Sequence, residues 1–345
     1  MKTKWLRKGL MFVLLAIFID VGVADDFNSN TDLVVVKFGD IDSKNVEKIL
    51  SAGKVADLIL PALAPNEMLG FSYFFDDSSK AFLPPITRNL PTLGGIYGKG
   101  MMISMEKIVS LKPDLMLDVG SVNQNYIDSV KRVYEKTNIP VILIDGNFAD
   151  SAKQIRTIAK YINKTQRGEI LANYTQRVLD VTKNSTIKGD KFYTIYFARS
   201  ADGLEAAVAD SIHDEVLKWI GLKNIVDAKN QKGLARVSLE QLYKWQPDII
   251  ITQDLNTYNH ILNSPNWKEL KAIQNKNVYL APNKPFGWLG QPPSINRILG
   301  ALYLTHKLAP HKLNASDYKQ FIREYFKLFY DYKLTLDDEK LFDIN

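Results

Sequence analysis

Cysteine is missing from all 345 residues. That one absence excludes a lipid-bearing cysteine, thiolate metal sites, iron–sulfur ligation and disulfides together. Histidine is scarce, with four in the chain. His213, His260, His306 and His311 nowhere form the H-x-H or H-x-x-x-H spacing of a preformed metal site. Only His260, just after Thr257-Tyr258-Asn259, is a candidate ligand atom. There is no G-x-S-x-G elbow and no dinucleotide fingerprint. The glycine-rich Gly94-Gly95-Ile96-Tyr97-Gly98-Lys99-Gly100 is followed by Met101, where a phosphate loop needs Lys and then Ser or Thr. An exported enzyme acting on a small anionic ligand is therefore an alternative with little chemistry behind it; its acid/base pair would have to be Asp202 and Glu205, three residues apart in a loop.

Long apolar runs are also lacking. The longest, Gly9 to Ile19, has eleven residues, against the ~20 that a membrane-spanning helix needs. Lys2, Lys4, Arg7 and Lys8 precede it and Gly22-Val23-Ala24 follow, the layout of a secretory signal peptide cleaved near Ala24. The mature chain is expected to be soluble, without a membrane span, and periplasmic, where a cysteine-free composition suits an oxidising compartment. The leader carries four basic residues and Asp20, so its removal takes the formal charge from +6 to +3. No Lys/Arg run with interleaved aromatics is present, and nucleic acid is not an expected partner.

What the chain does have is a repeat. S-M-E-K-I-V-S-L-K-P-D-L-M-L, residues 104–117, returns 134 residues later as S-L-E-Q-L-Y-K-W-Q-P-D-I-I-I, residues 238–251. Each copy reads as a Ser N-cap, a short helix with Glu in its first turn, a stop at Pro-Asp and entry into a buried strand. Two related α/β halves follow. Further strands are expected at Leu33–Phe38, Glu47–Leu50, Met68–Tyr73, Val141–Ile144, Phe192–Phe197 and Val278–Ala281, with a helix at Val55–Leu63. Helical periodicity runs from Asp150 to about Lys183, and Phe321, Ile322, Tyr325, Phe326 and Phe329 make a core stripe on a last helix. The expected plan is a signal peptide at 1–24, an α/β lobe at 25–149, a helical connector at 150–187 and a second α/β lobe with terminal helices at 188–345. Two such lobes joined by a single long helix leave a ligand cleft between them, lined by the loops after the strands. Those loops carry Tyr97, Lys99, Arg199, Arg236, Tyr258 and Trp288. Aromatic walls with a few cations suit a mid-sized anionic ligand. Arg297, at a helix start, reads as a structural link to the strand ends.

The duplicated Ser-x-Glu…Pro-Asp element resembles a signature of class III periplasmic substrate-binding proteins of ABC importers. Leu93-Gly94-Gly95, Ser51-Ala52-Gly53 and Phe286-Gly287-Trp288 followed by Pro292-Pro293-Ser294-Ile295-Asn296-Arg297 are similar too. The resemblance covers essentially the whole mature chain. It implies two lobes on one helix, capture of an iron chelate or one of another metal such as nickel or cobalt, and delivery to a permease dimer in the inner membrane. It implies no enzymatic activity and no resident cofactor, because the metal arrives within the ligand, and it is consistent with a monomer. Glu106 and Glu240 are implied as the residues that dock on the permease, one per subunit. The family also includes binders of molybdate or tungstate oxyanions, cobalamin and haem, and the motifs do not choose among them.

Overall fold

A computed structural model of the protein describes residues 33–97, 100–187, 193–228 and 233–344. The expected signal peptide and Lys99 lie outside the described residues.

The first lobe holds β1 (Val35–Phe38), β2 (Ile49–Ser51), β3 (Leu115–Gly120) and β4 (Val141–Asp145) in the order β1-β4-β3-β2. β2, β3 and β4 run parallel, and β1 closes the edge antiparallel to β4. The second holds β5 (Thr194–Arg199), β6 (Glu205–Ala207), β7 (Lys223–Asn224), β8 (Leu234–Arg236), β9 (Ile249–Thr252) and β10 (Val278–Leu280), with β9 between β5 and β10 and parallel to both. β3, β4 and β9 are buried along nearly their whole length, as strands of a sheet covered on both faces must be.

The motif strands pair equivalently in the two halves. Ile49 pairs with Leu115 in one sheet and Ile195 with Ile249 in the other; Leu115 and Ile249 each follow Pro-Asp. The first lobe's helices are α1 (Ala56–Leu63), α2 (Asp77–Lys80), α3 (Met105–Leu111) and α4 (Gln124–Thr137). The motif explains itself at α3 and at its counterpart in the second lobe, α8 (Leu239–Trp245). Ser104 Oγ accepts from Lys107 N at 3.2 Å and Ser238 Oγ from Gln241 N at 3.1 Å, so each helix has a side-chain cap. Lys112 and Gln246 end them in left-handed conformation at φ 49° and 47°. The aspartate then fastens the neighbouring strand: Asp114 Oδ2 accepts from Glu47 N and Lys48 N at 2.9 and 2.8 Å, and Asp248 Oδ2 accepts from Thr194 N and Oγ1, both at 2.9 Å.

Between the lobes the chain differs from the expected single helix. α5 (Ser151–Tyr161) and α6 (Thr165–Thr182) form a hairpin that turns at Asn163, φ 54°. Arg156 donates to Glu169 at 2.9 Å and to Asn173 at 2.7 Å across it. Gly168 permits the close packing, since a Cβ there would stand 2.2 Å from that of Ala159. Periodicity cannot distinguish one long helix from two that share a buried face; the three-residue turn does not interrupt the apolar pattern. α6, ~27 Å long at 1.5 Å per residue, is the true connector. The expected strand at Met68–Tyr73 is likewise absent, its backbone pairing only through the isolated bridges Ile49–Met68 and Phe71–Thr92.

The second lobe continues through α7 (Glu215–Ile220), α8, α9 (Leu255–Asn263), α10 (Lys271–Gln274), α11 (Arg297–Leu308), α12 (Ala315–Tyr330) and α13 (Leu336–Leu341). The α12 stripe is core as expected, with Ile322, Tyr325, Phe326 and Phe329 buried and Phe321 packed beside them.

One hydrophobic cluster runs through both lobes, from Leu115 and Ile142 to Ile195 and Ile251. Polar clamps add to it. Arg297, 1% exposed, donates to Gly146 O of the first lobe at 2.7 Å and to Glu215 Oε2 and Ile212 O of the second at 2.6 and 3.2 Å. Its Nε donates to Ser294 O at 3.3 Å. Ser294 Oγ donates to Val55 O at 2.7 Å, Lys284 pairs with Asp76 at 3.2 Å, and the rings of Phe75 and Phe286 lie 4.8 Å apart.

Candidate functional site

The carboxyl ends of β2 and β3 form one wall. Asp118, near the end of β3, is 5% exposed and lies beneath Tyr97, whose hydroxyl donates to its Oδ2. Tyr97 is steadied by an edge contact with Tyr126 at 5.5 Å. Gly53, after β2, comes so close that a Cβ would sit 2.8 Å from Asp118 Oδ1. Behind stands Asp57 in the first turn of α1, fully buried, accepting from Ser72 N at 2.9 Å, Ser72 Oγ at 2.7 Å and Tyr73 N at 3.2 Å. Burial pushes Asp57 up to about 6, partly offset by these donors. Burial and then the charge of Asp57 push Asp118 up to about 7. Among the described residues neither carboxylate has a Lys or Arg within ion-pair distance. At the rim Lys54 Nζ sits 3.7 Å over the Tyr73 ring, beside the exposed Phe74.

The second wall is built of donors. Arg199 ends β5, half-buried, with Glu205 3.8 Å from its Nε. Burial lowers its pKa and Glu205 opposes the change. With its amide oxygen turned toward the guanidinium, Gln291 accepts from Nη1 at 3.2 Å and Nη2 at 2.8 Å. Arg199 Nε has no hydrogen-bond partner. Gln253, directly after β9, is 3% exposed; its Oε1 accepts from Leu289 N while Nε2 is left without a partner. His213 Nδ1 is buried and faces the backbone at Gly290, too poorly aligned for a well-formed hydrogen bond yet close enough to oppose part of the ring's pKa shift. Its pKa is pushed down to about 4 by burial and then by Arg199 and Arg297, so the ring is neutral near pH 7. Gly287 packs against both Gln253 and Gln291, which makes these groups one patch.

The walls are neighbours. Gly53 touches Asp118, Val55 two residues on accepts from Ser294, and Gln291 three residues before Ser294 holds Arg199.

Of the residues expected at the cleft, Tyr97 and Arg199 stand on these walls. Arg236 does not: it is 64% exposed along its side chain and paired with Asp202, which holds the guanidinium in solvent. Trp288 is 0% exposed, its indole N–H donating to Lys284 O at 2.9 Å and its ring 5.1 Å from Phe342. With no open face it serves packing, not ligand stacking. Tyr258 lies on α9, half-buried against the second lobe's own cluster. His260 is exposed on the same helix, and among the described residues no group of three or more His, Asp or Glu could hold a metal. Glu106 and Glu240 are exposed in the first turns of α3 and α8. Backbone and Ser104 hydrogen bonds lower the Glu106 pKa, and Glu240 meets Lys244 one turn on at 3.2 Å. Asp57, Asp118, His213, Gln253 and Gln291 went unselected by sequence reasoning. A signal existed for Asp118, an acid between Leu117 and Val119 in an otherwise apolar strand. A separate concavity of about 390 Å³, lined by Asn147, Lys183, Asp210, Glu215 and Trp219 among others, contains none of the expected site residues.

Residues 97–285 match the model of the periplasmic binding protein family. Molybdate-binding protein MolA of Haemophilus influenzae is 26% identical over 253 residues, covering 66% of this chain and 70% of that protein. Fe(3+)-citrate-binding protein YfmC of Bacillus subtilis is 27% identical, covering 51% of this chain and 56% of that one. An ABC transporter solute binding protein from Sulfurospirillum deleyianum superposes with a TM-score of 0.78 at 26% identity, over 89% of this chain and 98% of that chain.

Proposed function

The chain belongs to the periplasmic binding protein family, and from that premise we propose that it captures an iron chelate, or one of another transition metal such as nickel or cobalt, and delivers it to an inner-membrane permease. That it is a substrate-binding protein of the ABC-importer kind follows from the family and from relatives named as binding proteins. The observation that supports a ligand rich in oxygen acceptors is the second wall; the choice of a chelate over a bare oxyanion is part of the proposal. Arg199 Nε and Gln253 Nε2 are buried donors with no hydrogen-bond partner, Glu205 standing 3.8 Å from the former, and an unmet buried donor costs about 1–3 kcal/mol. A ligand bearing carboxylate, catecholate or hydroxamate oxygens would satisfy both. The metal then comes inside the ligand, and no resident cofactor is needed.

Export, with the leader removed near Ala24, and action as a monomer are parts of the same proposal. Among the described residues no helix is long and apolar enough to cross a membrane. Glu106 and Glu240, exposed on equivalent helices of the two lobes, would dock on the two permease subunits and leave the ligand untouched. One relative is named for molybdate, which favours a bare oxyanion as the second reading; cobalamin and haem are further ligands to test.

Fluorescence quenching and native mass spectrometry against ferric citrate, ferric siderophores, nickel and cobalt chelates, haem, cobalamin and molybdate test the reading. Saturable binding of a metal chelate in preference to the rest is expected. Turnover of any of these compounds by the isolated protein would instead favour an enzyme.

A further inference from the structure

Resting on the reading that a small metal-bearing ligand is held between the two walls, we propose that Asp118 determines specificity: it requires the ligand to turn N–H or O–H donors, or a positive face, toward the first lobe, and it excludes bare oxyanions.

The argument is one of polarity. The second wall offers Arg199 Nε and Gln253 Nε2, donors that make no hydrogen bond although Glu205 lies 3.8 Å from the former, and Gln253 is 3% exposed. The first wall offers the reverse. The Tyr97 hydroxyl proton is committed to Asp118, so the tyrosine turns only lone pairs outward. Asp118 itself accepts, and a second carboxylate, Asp57, adds negative potential behind it. Contacts through Gly53, Val55, Ser294 and Gln291 connect the two walls, and the proposal takes one ligand to reach both.

A tetrahedral dianion such as molybdate presents acceptors in every direction. It would satisfy the second wall while setting its remaining oxygens against Asp118 and the lone pairs of Tyr97. In a low-dielectric cleft that juxtaposition is strongly unfavourable. A chelate with carboxylates on one side and amine or hydroxyl hydrogens on the other meets both walls. Asp118 therefore acts through repulsion of the wrong ligand as well as attraction of the right one.

The test is calorimetric titration of the full chain at about pH 8.5, where a carboxyl pushed up to about 7 is ionised, with two probes, sodium molybdate and the nickel(II)–histidine complex, whose amino groups carry N–H donors. Wild type is expected to bind the nickel complex at least about tenfold more tightly, the order of one net hydrogen bond. Asp118→Asn, which keeps the shape and removes the charge, is expected to raise molybdate affinity severalfold and shrink the ratio. An unchanged ratio in a variant that melts like wild type overturns the role of Asp118. Tighter binding of molybdate than of the nickel complex by wild type overturns it too, while leaving the binding-protein reading in place. If Asp118→Asn does not fold, the wild-type ratio alone decides. Saturable binding of neither probe overturns this inference, while the proposed ligand class is decided separately by the wider panel of chelates.

Discussion

Replacing Arg297 by Ala removes the group that joins the loop after β4 to the start of α11 and to α7. The side chain is 1% exposed and its head group makes four hydrogen bonds, to Gly146 O, Ile212 O, Ser294 O and Glu215 Oε2. Adding those bonds individually would overstate the loss, because the truncated site can relax and admit water. The better guide is the ion pair: deleting one partner of a buried pair costs about 3–5 kcal/mol when the other charge stays desolvated, an upper range here because the Glu215 side chain is 28% exposed. Glu215 would retain only Phe148 N, at 2.8 Å, to offset its charge. At roughly 2 °C per kcal/mol for a chain of this size or somewhat smaller, the melting temperature should fall by up to roughly 6–10 °C. Arg297→Met with Glu215→Gln removes both charges and should recover about half of the loss or more. Differential scanning calorimetry measures both variants. A fall of less than about 2 °C in Arg297→Ala, or a double variant no more stable than the single one, would refute the view of Arg297 as a charge-dependent clamp between lobes.

Four other outcomes are expected. Arg199→Ala should weaken chelate binding by about 1.5–3 kcal/mol, the range for a hydrogen bond to a charged group, with the melting temperature nearly unchanged; undiminished affinity by titration would move the anion site elsewhere. Trp288→Ala should cost about 3–5 kcal/mol of stability in urea unfolding, and a loss of binding with stability intact would return the indole to the cleft. Asp57 rises from 3.8 to about 6 on folding, so the folded state binds more protons than the unfolded between those values and the contribution of this group to stability declines as pH rises through that window. His213, lowered to about 4, acts in the opposite sense between pH 4 and 6.5. The test is accordingly the difference between wild type and Asp57→Asn: urea midpoints at pH 4 and 7 should show the variant losing less stability, or gaining more, than wild type as pH rises, and parallel profiles would contradict the shift. Reversing both Glu106 and Glu240 to Lys should abolish uptake in cells while leaving ligand affinity and melting intact; normal uptake, or an equal loss of ligand affinity, would sink the docking role.

The sequence carries most of the architecture because the repeated motif is local physics written twice. A Ser cap, a left-handed stop and a strand-fastening aspartate each act within a few residues or on the adjacent strand, so the pattern survives in one dimension. The hairpin of α5 and α6 was illegible because both helices bury the same kind of face. Trp288 misled for a different reason. Flanked by Gly287 and Gly290 it looks like an exposed loop aromatic, but its burial is decided by Phe342, 54 positions later, and by Gly300, whose missing Cβ lets α11 approach the Trp288 carbonyl. Arg199 was recognisable as a cation at a strand end. Gln253 and Gln291 were not, because an amide gains meaning only when one of its atoms is seen to lack a partner.

The aspartate fasteners have a consequence beyond folding. Asp114 and Asp248 lock each motif helix to its own sheet through bonds that no ligand touches, and Arg297 and Lys284 fix one sheet against the other. These links oppose relative movement of the lobes, so the span from Glu106 to Glu240 is expected to act as a ruler of nearly constant length whether the cleft is empty or full. A receptor that gauges this ruler learns that a carrier has arrived and nothing about its cargo. The news of loading would then have to travel by another route, through exposed side chains such as Phe74 and Lys54, and it is there that a change between empty and loaded carrier should be looked for.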